Sequence, residues 1–117
     1  MEKTLTIDGK QVKFKSTAAT PLRYKAQFGR DFFTDIVKMN KLKNVKLKDE
    51  NGEPNYEAFE LIDFDFFYNI VWALAKSGDN SIGDPITWLE DFDEFPLMEI
   101  LPELQELMAH SIKGKKK

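Results

Sequence analysis

The sequence predicts an α+β fold, mostly α, in which an N-terminal β-hairpin packs on a bundle of about five helices in a single domain. Three observations carry this expectation. Two short N-terminal segments alternate apolar and polar residues with period two around an Asp-Gly pair. Most of the chain beyond them sets its apolar residues at helical spacing, punctuated by Thr-Pro, Asp-Pro and single glycines. With 117 residues the chain suffices for one core burying about two-thirds of its unfolded surface, and is too short for two. The domain is expected over residues 1–112, with 113–117 a disordered basic tail.

Thr4-Leu-Thr-Ile7 and Gln11-Val-Lys-Phe-Lys15 are the two strands, and Asp8-Gly9 is the dipeptide that best tolerates the positive φ of a tight hairpin turn. Leu5 and Ile7 share a face, as do Val12 and Phe14, so one side of the hairpin needs cover. A lone hairpin is marginal in water, and helices must supply that cover.

Thr20-Pro21 reads as a helix start, with Thr20 as N-cap and proline where its missing N–H costs nothing. This helix is expected to end near residue 27 or 28, closed by Gly29. Asp31 then caps a second helix through about Met39, with Phe32, Ile36 and Met39 on one face and Phe33 and Val37 beside it. Residues 40–54 are Lys-rich, then acidic with Gly52 and Pro54, the composition of a loop. A third helix is predicted from an Asn55 cap to Lys76, stopped by Ser77-Gly78. Tyr56, Phe59, Ile62, Phe66, Ile70 and Ala73 form one apolar stripe, and Phe64, Phe67, Val71 and Leu74 a second, leaving Asp65, Asn69 and Lys76 as the polar edge. A helix apolar over most of its circumference belongs at the centre of the core, and Phe66 and Ile70 are expected to be buried there. Asp84-Pro85 repeats the capped start ahead of Ile86, Trp88, Leu89 and Phe92. Pro96 and Pro102 divide the remainder, and a last helix is expected from Leu101 or Pro102 to Ile112, with Leu101, Leu104, Leu107 and Met108 on its apolar face.

Composition excludes several kinds of chemistry. With no cysteine there are no disulfides, thiolate metal sites or cysteine nucleophiles, and with one histidine, His110, no multi-histidine metal site within the chain. Nothing calls for a cofactor. The longest strictly apolar run, residues 70–75, is far below the roughly 18 to 20 residues that span a bilayer, so no membrane association is expected. The first 20 residues carry no secretory h-region, and a cytoplasmic location follows as the expectation. Neither residues 49–54 nor 79–84 carry the ligand spacing of a calcium loop. The six glycines are isolated, so no phosphate-binding loop exists.

The net charge of −3 hides a polarity along the chain. Residues 1–48 hold twelve Lys/Arg and four Asp/Glu, giving +8, whereas residues 49–112 hold one Lys and sixteen Asp/Glu, giving −15. The halves can neutralise each other, so the basic half is not read as a nucleic-acid footprint. The same complementarity predicts weak head-to-tail association between copies that fades as salt rises.

Asp91, Asp93 and Glu94 are the densest carboxylates, and paired carboxylates serve glycosidases and metal nucleases. Their neighbours Trp88, Phe92 and Phe95 point elsewhere, to aromatic area within an acidic rim, as at a partner-binding surface. His110 has no serine or cysteine partner implied by spacing. The chemistry points to binding rather than catalysis.

The order of features resembles the tail assembly chaperones encoded by long-tailed bacteriophages and prophages of Gram-positive bacteria. The resemblance runs through the Asp8-Gly9 hairpin, Thr20-Pro-Leu-Arg-Tyr-Lys-Ala-Gln-Phe-Gly-Arg-Asp31, the central Phe66-Phe-Tyr-Asn-Ile-Val-Trp-Ala-Leu-Ala75 helix and the acidic segment from Pro85. It implies a non-enzymatic protein that binds the tape measure protein, keeps its apolar helical surface soluble, helps recruit tail tube subunits, and leaves before the virion is complete. It implies action in the host bacterial cytoplasm and absence from the mature virion. It also implies two products made by a ribosomal frameshift, for which adenine-rich lysine codons at Lys113-Gly-Lys-Lys-Lys117 offer a place. Two other classes stay open: an acidic DNA-mimic inhibitor using residues 49–112, and a head-tail connector or neck protein. A chaperone gene lies between those of the tail tube and the tape measure, a connector gene nearer the capsid genes.

Overall fold

The computed structural model describes residues 1–41, 49–59 and 64–113. β1 (Glu2–Ile7) and β2 (Lys10–Lys15) form an antiparallel hairpin. Asp8 at φ 52° and Gly9 at φ 74° are the consecutive left-handed residues that match a two-residue turn to the twist of its strands. The register sets Leu5 opposite Val12 and Lys3 opposite Phe14, so Leu5, Ile7, Val12 and Phe14 share one face. Ile7, Val12 and Phe14 are buried and Leu5 packs at the margin.

α1 (Thr20–Phe28) ends as expected at Gly29, whose φ of 69° lets its N–H reach the Lys25 carbonyl at 2.8 Å. Its start differs from the expectation. Ala19 takes the position before the helix with helical angles and no side-chain cap. Thr20 is fully buried; its hydroxyl lies 2.9 Å from that of Ser77 and accepts the Thr17 N–H at 3.0 Å. The group expected to cap α1 instead ties it to the central helix, because a buried hydroxyl must find a partner.

α2 (Phe32–Lys41) runs two residues beyond the expected end. Asp31 caps it by accepting the Phe33 N–H and the Thr34 hydroxyl, each at 3.0 Å. Phe32 and Ile36 enter the core, while Phe33 and Val37 are exposed. In the following loop, the Asp49 carboxylate accepts the N–H groups of Asn51 and Glu53, both at 2.9 Å. The Lys-rich stretch 42–48 lies outside the described residues, as do 60–63 with Ile62 in the expected third helix, and 114–117 in the expected tail.

α3 (Tyr56–Phe59) and α4 (Phe64–Gly78) cover the described parts of that third helix. Phe66, Phe67 and every residue from 70 to 75 are buried, as expected of the central helix. α4 ends against β2. A Cβ on Gly78 would stand well inside van der Waals contact with the Lys13 carbonyl oxygen, and 2.8 Å from its carbon. Helix propensity alone favours alanine over glycine by about 1 kcal/mol, but backbone atoms cannot yield as a side-chain tip can. Gly78→Ala is therefore expected to destabilise, by about 1 to 3 kcal/mol. A urea midpoint raised by this substitution would reject the close approach of α4 to β2.

α5 (Pro85–Leu89) starts as expected, with Asp84 accepting the Thr87 N–H at 3.3 Å and its hydroxyl at 2.6 Å. α6 (Leu97–Lys113) starts a turn earlier than expected, directly after Pro96, and carries Pro102 inside it. Pro102 removes the N–H that would bond the Met98 carbonyl. Burial of Leu97, Ile100, Leu101, Leu104, Leu107 and Met108 along one face offsets that loss. The helix includes Lys113, the first residue assigned to the tail.

The buried faces of the hairpin and of α1, α2, α4, α5 and α6 meet in one apolar cluster. Hairpin lysines meet acidic elements across it: Lys3 pairs with Glu103 at 2.6 Å, and Lys10 donates to the Asp91 carbonyl. The Lys3–Glu103 pair matches opposite charges from the two halves of the sequence within the fold, whereas Lys10 meets a neutral backbone group. Among the described residues, no helix is long and apolar enough to cross a membrane.

Candidate functional site

α5 is a little over one turn, and it delivers the three aromatic residues singled out above to one place. Asp84 fixes its start, and the N–H groups of Glu90, Asp91 and Phe92 bond back to the carbonyls of Ile86, Trp88 and Leu89 at 3.0 to 3.2 Å. This winding brings Trp88, Phe92 and Phe95 into mutual edge-to-face contact, with ring centroids 5.2, 5.4 and 5.7 Å apart, the arrangement aromatic quadrupoles favour. Tyr68 of α4 meets Phe95 from behind at 6.0 Å.

The hairpin turn clamps the segment from the other side. Asp8 accepts the Asp93 N–H at 2.9 Å, and the Lys10 ammonium stands 5.1 Å from the centre of the Phe92 ring. A groove of about 420 Å3 runs between β2 and this segment, with Val12, Ile82, Trp88 and Phe92 among its lining. Lys10, Lys13, Asp79 and Asp91 also line it, and Glu90, Asp93 and Glu94 are exposed on the same segment.

Trp88, expected with Phe92 and Phe95 at a partner-binding surface, is instead 6% exposed and belongs to the core. Phe92 and Phe95 are half-buried and pack against that core. Trp88 therefore lies beneath Phe92 and Phe95, in contact with both rings.

Of the carboxylates weighed for metal binding, Asp49, Asp79 and Asp84 are engaged in turns. Ser81, through its hydroxyl and N–H, holds Asp79 below the usual carboxylate range, and Thr87 does the same to Asp84. Among the described residues, no three His, Asp or Glu side chains are grouped to hold a metal ion. His110 is half-buried on α6, with Nδ1 buried and without a hydrogen-bond partner among the described residues.

Two features were not anticipated. Asp35, 2% exposed, accepts the Tyr24 hydroxyl at 2.6 Å and a two-pronged contact from Arg30 at 2.8 and 2.9 Å. The Arg30 guanidinium lowers the Asp35 pKa, and burial pushes that of the Tyr24 hydroxyl up, helped by the neighbouring carboxylate. This cluster joins α1 to α2 and lies away from the aromatic surface in the order of elements. The second is a shallow apolar groove along α1, lined in part by Ala19, Leu22, Ala26, Trp72 and Ile82, at which Trp72 is fixed by its N–H bond to the Gly83 carbonyl at 3.0 Å. Leu22 on its wall is 73% exposed.

Comparison of the chain with protein-family models, curated proteins and solved structures finds no match.

Proposed function

We propose that the protein is a phage tail assembly chaperone: it binds the tape measure protein in the host cytoplasm, keeps that protein soluble, promotes tail tube assembly around it, and acts without catalysis. The observation that carries this reading is the ordered resemblance along the chain, from the Asp8-Gly9 hairpin through Thr20 to Asp31 and the Phe66 to Ala75 helix to the acidic aromatic segment. Phe92 and Phe95 support it as half-buried aromatic area on a segment whose carboxylates Glu90, Asp91, Asp93 and Glu94 are exposed, with Lys10 over the Phe92 ring, a surface for an apolar helix face. The proposal includes a second, longer product arising by a frameshift at the lysine run. It also includes weak, salt-sensitive association of copies.

The test is co-expression with the tape measure protein of the same phage or prophage. The intact chain is expected to move that protein into the soluble fraction and to co-purify with it. Phe92→Ala combined with Phe95→Ala is expected to abolish co-purification while leaving the circular dichroism spectrum unchanged. Trp88 is left in place, because its removal would report on folding rather than contact. Full retention of the complex by the double variant places the contact elsewhere, and no binding by the intact chain rejects the chaperone reading.

A further inference from the structure

The hairpin has two edges, and only one is closed. The two-residue turn makes Ile7 and Lys10 a hydrogen-bonded pair, and the alternation of an antiparallel ladder repeats this at Leu5–Val12 and Lys3–Phe14. The bond from the Ser16 N–H to the Met1 carbonyl at 2.9 Å keeps the same parity. Thr4 and Thr6 therefore direct their backbone N–H and C=O groups away from β2, and neither group has a partner among the described residues. Both residues are exposed. On the other edge the Lys13 carbonyl faces the end of α4 at Gly78, which leaves no room for another strand.

Beside the open edge runs a groove of about 360 Å3 between β1 and α6, with Thr4, Thr6, Pro96, Glu99, Ile100 and Glu103 along it. Its charge is acidic. Glu99 is exposed, and the Glu103 side chain is 52% exposed even while it pairs with Lys3. We propose that β1 is a docking strand for an extended peptide segment of a partner protein carrying lysine or arginine at alternate positions. The segment adds a third strand through the backbone groups of Thr4 and Thr6, and its cations of one parity meet Glu99 and Glu103. A second copy pairing β1 with β1 about a twofold axis would bring two sets of these glutamates together, which like-charge repulsion opposes. Heterologous pairing of β1 with β2 of another copy is blocked at Gly78. The inference does not rest on the chaperone reading.

The experiment is residue-resolved amide hydrogen exchange on the full chain, alone and with a short synthetic peptide of alternating valine and lysine. Thr4 and Thr6 are expected to exchange quickly in the free protein and at least tenfold more slowly with saturating peptide, while Leu5, bonded to Val12, is slow throughout. A valine–glutamate peptide is expected to give no protection. Glu99→Lys is expected to weaken the valine–lysine peptide severalfold, and raised salt to do the same. Thr6→Pro removes one outward donor that the hairpin does not use and is expected to abolish the protection of the Thr4 amide, the one of the two that remains. Unchanged exchange with saturating peptide overturns the proposal, as does equal protection by the glutamate peptide. Slow exchange of Thr4 and Thr6 without peptide, growing with protein concentration, assigns the edge to a second copy and overturns it too.

Discussion

Phe66→Ala is expected to lower the stability of the fold by about 3 to 5 kcal/mol. Phe66 is 4% exposed near the start of α4, with its ring centroid 4.7 Å from that of Phe67. Truncation removes its transfer energy and leaves a cavity that a neighbourhood of helices and aromatic rings closes only in part. That loss is a large share of the roughly 5 to 15 kcal/mol available to a domain. Phe33→Ala supplies the contrast. Phe33 lies on α2 with 41% of its surface exposed, so its truncation is expected to cost only about 1 kcal/mol. Urea denaturation with an unchanged slope measures both. Equal midpoints for the two variants would remove α4 from the centre of the core.

The elements legible in the sequence were those set by neighbours along the chain. The Asp8-Gly9 turn, the Gly29 stop and the Asp31 and Asp84 caps each form within four residues, through a left-handed angle or a cap, and local chemistry located them all, though not the bond from Asp93 to Asp8. Thr20 failed for the opposite reason. Its hydroxyl bonds Ser77, 57 positions away, and nothing local distinguishes that arrangement from a cap. Pro102 was misplaced because propensity puts proline at a helix start, whereas the apolar face of Leu97, Ile100, Leu101 and Leu104 continues across it. The aromatic group at 88–95 was legible as a cluster but not in its depth. Trp88 is covered because α5 packs against α4, a relation no spacing rule reports. The Asp35 cluster did leave a signal: a carboxylate inside the apolar stripe of Phe32 and Ile36, with an arginine five residues before it.

Asp35→Ala is expected to cost about 2 to 4 kcal/mol, because it leaves the fully buried Tyr24 hydroxyl without its acceptor and takes from Arg30 its two-pronged partner. The figure lies below that for breaking a wholly buried ion pair, since the Arg30 side chain is 41% exposed and can turn to water. The same cluster shapes the pH dependence of stability at both ends. Asp35 has its pKa lowered in the fold, chiefly by the bond from Arg30. Below the ordinary value of about 3.9, the unfolded chain binds a proton that the native state resists. The contribution is therefore present above about pH 4 and lost as the solution becomes more acidic. Tyr24 has its pKa raised, first by burial and then by the Asp35 bond. Its contribution is complete below the ordinary tyrosine value of about 10 and lost as the pH rises beyond it, where the unfolded chain releases a proton the native state keeps. Asp35→Asn is expected to flatten the acid limb of a plot of denaturation midpoint against pH, and Tyr24→Phe the alkaline limb. An acid limb unchanged in Asp35→Asn would assign that loss to other carboxylates, and an alkaline limb unchanged in Tyr24→Phe would assign the upper one to other groups.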